Sequence, residues 1–177
     1  MGTKDFSPYI AQLKEAKVDA VWVAETGRDA IAFVKQAQEF GLIPQTKLIG
    51  HSLLQNFMMD ATGKALDGTP GNVTYSPDID NARNKAFVAA FTKKYGKPPE
   101  NQAWGDYMMM KILAQSITET KSTDSVKLME HWEKGAKFDV MKTREGYFRA
   151  SDHQMMHEMY TITALPPAQV KNQWDLF

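Results

Sequence analysis

Asp19-Ala20-Val21-Trp22-Val23-Ala24, continuing through Glu25-Thr26-Gly27-Arg28-Asp29 into Ala30-Ile31, is the stretch whose reading decides the fold class. From Val18 to Ala24 the run is broken only by Asp19, and Val18, Val21 and Val23 make it β-branched and apolar. That is the composition of a parallel strand covered on both faces. A polar turn follows. Ile31, Phe33, Val34, Ala37 and Phe40 then recur at helical spacing until Gly41 stops the pattern as a C-cap.

Strand, polar turn and helix appear again downstream. Lys47-Leu48-Ile49-Gly50 reads as a second short strand, His51-Ser52 as its turn, and Leu53 to about Lys64 as a helix. Asp67-Gly68-Thr69-Pro70-Gly71 is a turn cluster, and Asn72-Val73-Thr74-Tyr75 begins a third strand. Upstream, Ser7-Pro8 before Tyr9, Ile10, Leu13 and Ala16 predicts a helix with Ser7 as N-cap and Pro8 at its first position. The alternation predicts an α/β fold, doubly wound, with a mainly parallel sheet and flanking helices. In such sheets ligands bind at the carboxyl ends of the strands, which singles out Glu25 to Asp29 and His51 to Gln55.

Beyond Ser76 helical patterns dominate. Asp80 or Asn81 caps a helix carrying Phe87, Val88, Phe91 and Tyr95 and closed by Gly96. Asn101 to Glu119, with Trp104, Tyr107, Met108, Ile112, Leu113 and Ile117, is the next, and Ser125 to about Lys134 the third, with no strand signal between them. Strand-like patterns return at Tyr147-Phe148-Arg149 and at Met159 to Thr163.

Composition bounds the function. The 177 residues are 43% hydrophobic, enough for a packed core, and 21 basic residues balance 21 acidic ones, so no global field draws the chain to nucleic acid. The absence of cysteine excludes thiol nucleophiles, disulfides and zinc–thiolate sites. No run reaches the roughly 18 apolar residues of a membrane span. Met1-Gly2-Thr3-Lys4-Asp5 lacks the apolar core of a signal peptide, so the chain as written is expected to carry no export address.

Three stretches together resemble the type I periplasmic solute-binding proteins of the branched-chain amino-acid family. They are Asp5 to Ile10 leading to Asp19 to Val23, Gly27 to Ile31 and Gln36 to Leu42; Tyr75-Ser76-Pro77 with Phe87-Val88, Phe91, Lys94-Tyr95-Gly96, Pro98-Pro99 and Gly105-Asp106-Tyr107; and Phe148-Arg149 with Asp152-His153-Gln154. The resemblance implies a ligand carrier for an ABC transporter: two α/β lobes joined by three crossings, closing on a solute like a hinge. On that plan residues 1–75 are most of the second lobe. Residues 76–146 are the helical segment that belongs to the first lobe, and 147–177 return to the second. Against that plan the chain as written is expected to lack the signal peptide, nearly all of the first lobe, and the opening strand and helix of the second. An apolar stripe on the helices is therefore expected to be left exposed, and self-association of the chain with it.

The resemblance also implies ligand contacts from the two turns, at Glu25, Thr26 and Asp29 and at His51 and Ser52. Amino-acid binders often place an aromatic residue near Thr26 and an acidic one near His51-Ser52 to pair with the ligand's ammonium group. A small hydroxyl and a carboxylate-free pair stand there instead, so an acid or amide lacking the ammonium becomes an expected ligand beside amino acids. The plainer reading makes Thr26 the N-cap and Asp29 the N3 partner of a capping box, and Ser52 the cap of the next helix.

His153 and His157 stand four apart, the spacing of metal ligands on a helix, but a turn before a strand is the preferred reading and no metal is expected. Met58-Met59, Met108-Met109-Met110 and Met155-Met156 are read as core, and Trp104 with Tyr107 as a helix face packed on a sheet.

Taken together, the sequence predicts a non-enzymatic solute-binding component of an ABC importer, periplasmic in its parent family, with a permease as partner and no cofactor. A small flavodoxin-like or hydrolase-like enzyme is the rival. Against it, no Gly-x-Ser-x-Gly elbow or Gly-rich phosphate loop is present. A third reading gives this chain no function apart from its parent.

Overall fold

Pro8 enters the first turn of α1 (Ser7–Ala16), where a missing N–H costs nothing. In the computed structural model, which describes residues 2–177, the N-cap is Phe6 and not the expected Ser7. Asp5 Oδ1 accepts from the Ser7 N–H at 2.9 Å and so performs the capping from one position further out. Strand β1 (Ala20–Trp22) leads into α2 (Gly27–Glu39), and β2 (Lys47–Ile49) into α3 (Asn56–Thr62), which tightens into a 3₁₀ turn over Gly63–Leu66. Strand β3 (Pro70–Val73) follows.

Ala30, Phe33, Val34 and Ala37 stand at i, i+3, i+4 and i+7 of α2, and all four are buried. They meet Ile10 of α1, Leu48 of β2, and Leu53, Leu54, Met58 and Leu66 in one core. The Gln36 side chain fastens the leading segment to this helix, accepting from Phe6 N at 2.7 Å and donating to the Lys4 carbonyl at 2.9 Å.

The second part of the chain begins with α4 (Ala82–Tyr95), whose N-cap Asn81 accepts from the N–H groups of Arg83 and Asn84. Then come α5 (Asn101–Thr120) and α6 (Ser125–Glu133), the latter capped by Asp124. Two strands that sequence patterning missed, β4 (Lys137–Phe138) and β6 (Met155–Met156), flank β5 (Gly146–Phe148) in an antiparallel sheet. Each is two residues long, too short to show an alternation. Trp104, Met108, Ile112 and Ser116 line one stripe of α5. Trp104, Met108 and Ile112 pack with Tyr75, Phe138, Val140 and Phe148. Buried Ser116 accepts from Trp132 Nε1 at 2.8 Å and donates to the Ile112 carbonyl, so burial leaves no polar atom of it unpaired.

Strand β7 (Tyr160–Thr163) pairs with β3 and carries the chain back. The molecule divides into two compact units, one containing the chain up to Val73 with Thr161–Phe177, the other Thr74–Tyr160. The return therefore falls at 161 and not at 147, because β5 pairs with β4 and β6 and keeps residues 147–160 in the second unit.

Among the described residues the strands form three small sheets, in one of which β1 and β2 pair in parallel. Contrary to expectation, β1 is not covered on both faces: Ala20 is exposed and Trp22 is 64% exposed. Ala20 and Trp22 share one face of the strand, so that face is open among the described residues.

Gly50 closes this pair. A Cβ there would lie 2.5 Å from the Val23 carbonyl oxygen and 3.2 Å from Leu53 Cγ, so the two strand ends approach only over a residue without a side chain. G50A is expected to destabilise the first unit by about 1–3 kcal/mol. Chemical denaturation followed by circular dichroism checks this, and an unchanged midpoint would show that the strand ends can part freely.

Candidate functional site

Trp22 pairs with Ile49 in parallel register, and the Val23 N–H donates to the Ile49 carbonyl at 2.7 Å. The chain then leaves β1 as Glu25-Thr26 and β2 as His51-Ser52. Both polar turns therefore emerge at the carboxyl ends of adjacent parallel strands, the edge where α/β sheets take ligands. Glu25, Thr26 and His51 are exposed, and Asp29 and Ser52 half-buried. The fold thus brings all five predicted residues to one edge of one sheet.

Of the plainer assignments, Thr26 as N-cap holds in position, while the capping box with Asp29 and the Ser52 cap do not form. Thr26 occupies the N-cap position of α2 with extended backbone, but its hydroxyl makes no capping bond. Asp29 Oδ2 instead accepts from the Gly2 N–H at 2.9 Å, so the expected capping box is not formed. Ser52 caps no helix either, since α3 starts later, after Gln55. The hydroxyls at both turns are thereby left free of helix capping. Carboxylates, hydroxyls and an imidazole in this arrangement can hydrogen-bond a small polar solute.

The most perturbed cation of the second unit escaped sequence reasoning altogether. Lys142 is 4% exposed. Its Nζ donates to the carbonyls of Thr74 and Glu158 and lies 2.8 Å from His157 Nδ1. It also stands 4.4 Å from the centre of the Trp104 ring and 5.3 Å from that of Tyr160. Trp104 in turn stacks on Tyr75, with ring centres 5.4 Å apart. Trp104 thus holds a cation as well as packing on its neighbours, while Tyr107 is 43% exposed and not packed in a core. Burial depresses the Lys142 pKa to about 8, and the Glu158 charge opposes that only in part. Burial also lowers the pKa of His157.

His153 and His157 are not on a helix. His153 has left-handed backbone, and its Nε2 lies 2.7 Å from Glu133 Oε1, while His157 Nδ1 lies 2.7 Å from the Glu158 carbonyl. Among the described residues no group of three or more His, Cys, Asp or Glu side chains gathers as a metal site. Of the methionine pairs, Met58 and Met59 are core, whereas Met109 and Met110 are 47% and 66% exposed. Between α4 and α5 an open groove of about 620 Å³ is lined by Phe87, Phe91, Tyr95 and Tyr107, with Lys94 and Lys111 at these rings.

Comparison with known proteins agrees with this architecture. A periplasmic binding protein family matches residues 1–165. The chain belongs to that family. It is similar to the Leu/Ile/Val-binding protein homolog 1 of Brucella suis biovar 1, with 30% identity over 124 residues, which are 70% of this chain and 33% of the relative. Among solved structures it resembles a branched-chain amino-acid ABC transporter periplasmic ligand-binding protein from Burkholderia xenovorans, at 28% identity and TM-score 0.78 over 99% of this chain and 46% of that one. It also resembles a solute-binding protein of an ABC transporter from Rhodopseudomonas palustris BisB5 in complex with 3,4-dihydroxybenzoic acid, at 26% identity and TM-score 0.72, covering 90% and 44%. The chain spans about a third of the length of that curated relative and under half of these solved chains.

The Lys142 site carries a pH dependence with a definite sign. Its folded pKa of about 8 lies below the unfolded value of 10.5, so between these the unfolded chain binds more protons and stability rises with pH. The gain is on the order of 2–3 kcal/mol. Above pH 10 Tyr75 opposes it, because burial raises that phenol's pKa above its ordinary value. Denaturation midpoints of the second unit measured from pH 8 to 10 are expected to climb, and the slope to vanish in K142M.

Proposed function

We propose that this chain is part of the solute-binding component of an ABC importer, and that its first unit supplies one wall of a site for an amino acid or a related small carboxylate or amide. The observation that carries this reading is the placement of Glu25, Thr26 and Asp29 beside His51 and Ser52, at the carboxyl ends of two parallel strands paired in register. The hydroxyls of Thr26 and Ser52 cap no helix, which supports a role toward a solute. Membership of a family of binding proteins supports binding over catalysis. A periplasmic location and an ABC permease as partner go with the same reading.

The side chains also bear on ligand class. An acidic partner for an ammonium group would come from Glu25 or Asp29, whereas His51 and Ser52 suit a carboxylate, hydroxyl or amide. The relatives span both kinds: some are described as Leu/Ile/Val-binding homologues, and one was solved with a dihydroxybenzoic acid.

A thermal-shift screen of the chain against leucine, isoleucine, valine, their keto acids and hydroxybenzoic acids tests the proposal. A solute present at a hundred times its dissociation constant adds about 2.7 kcal/mol of stability. With a responding solute in hand, D29A is expected to weaken binding about tenfold or more while changing the stability of the free chain by less than about 1 kcal/mol, since its hydrogen bond among the described residues is to an exposed N–H. Unchanged affinity in D29A would remove the first turn from the site.

A further inference from the structure

The chain passes between its two units twice, at Val73–Thr74 and at Tyr160–Thr161. The segments that make these passages are paired as β3 and β7. Inside the second unit, one side chain is bonded to both: Lys142 Nζ donates to the carbonyl of Thr74 and, at 2.6 Å, to that of Glu158. Other groups hold one passage or the other. Asn101 Oδ1 accepts from Tyr75 N at 2.9 Å and from the Thr74 hydroxyl, whereas the Glu158 carboxylate accepts from the N–H groups of Thr143 and Arg144.

The loop that bears Lys142 is built to deliver it inward. Met141, buried and without the freedom of glycine, is held at φ 59°, in the left-handed region. Its N–H donates to Asp139 Oδ1, and Asp139 is paired with Arg83. Trp104 Nε1 donates to the Val140 carbonyl at 3.2 Å, and Asn81 Nδ2 to the Lys142 carbonyl at 3.0 Å. A long cationic side chain is seldom buried unless bonding compensates it. Here the compensation comes from the backbone of the two passages and from the rings of Trp104 and Tyr160.

We propose that Lys142 is a positioning residue that fastens the two passages to each other, so that the two move as one. The ionisable groups around it fit this role in either charge state. As an ammonium it donates to both carbonyls and lies against His157 Nδ1; as a neutral amine it retains two N–H donors for the same two carbonyls. Glu158 is engaged by Arg144, Tyr75 bonds Asn84 through its hydroxyl, and Tyr160 presents its ring to the ammonium. None of this depends on which solute the first unit takes.

Amide hydrogen exchange on the whole chain, below the titration range of Lys142, tests the proposal. K142M keeps the apolar stem and removes the donors. It is expected to speed exchange about tenfold or more at Tyr75 and over residues 158–161, relative to Met108 and Ile112 in α5. N101A is expected to speed exchange at Tyr75 alone. The proposal is overturned if K142M leaves either passage at the wild-type rate, if it speeds α5 equally, or if N101A loosens both passages. Should K142M fail to fold, the wild-type chain decides: the Lys142 Nζ resonance must show couplings across hydrogen bonds to the carbonyl carbons of both Thr74 and Glu158, and coupling to one alone refutes the shared fastening.

Discussion

The close approach of β1 and β2 is the constraint on which the first unit depends. Each strand is only three residues long, so their pairing rests on few hydrogen bonds, and it holds because Gly50 lets the Val23 carbonyl approach where any Cβ would collide. The core supports the pair from one side, through Leu48 and Val23 and the buried stripe of α2. From this one contact follow the parallel register, the common direction of the two polar turns and the shared edge on which the proposed solute site stands. The open face of β1, with Trp22 largely in solvent, is the other side of the same arrangement.

The second unit has an apolar core of its own, into which several buried and bonded polar groups are set. Asn84 is fully buried, donating to the carbonyls of Pro77 and Ile79 and accepting from the Tyr75 hydroxyl. Ser116 joins α5 to Trp132, and Lys142 joins the loop after β4 to Thr74 and Glu158. Such groups add little net stability over well-packed apolar replacements, yet each is costly if left unpaired. They therefore select one arrangement of loops and chain passages from several that an apolar core would tolerate.

Helices were legible where apolar spacing and caps agreed. The Asn81 cap of α4 and the left-handed Gly96 that ends it stand where the pattern puts them, and so do Phe33, Val34 and Ala37 of α2, whereas Phe40, expected in that stripe, is exposed and takes the C-cap position expected of Gly41. The bounds of α3 and of β3 shifted by a few residues: a 3₁₀ turn takes over from α3 at Gly63, and Pro70 and Gly71, expected in a turn, belong to β3. The two-residue strands β4 and β6 left no periodic trace. At the proposed site, strand–turn–helix order was enough to name Glu25, Thr26, Asp29, His51 and Ser52. It could not show that Asp29 would bond the Gly2 N–H in place of completing a capping box, since that partner lies 27 residues away in the chain. Lys142 was invisible for the same reason: in sequence it is an ordinary lysine in a polar loop.

By itself, then, the sequence determined the α/β order, the helical stripes, the turn chemistry and the resemblance to a family of solute-binding proteins, because each of these is written in residues close together along the chain. Only the tertiary structure decided which strands pair, which face of β1 stays open, where the chain returns to the first unit and which polar groups are buried. Those outcomes rest on contacts between segments far apart in sequence, such as Thr74 with Lys142, 68 residues on, and no local pattern encodes a partner at that distance.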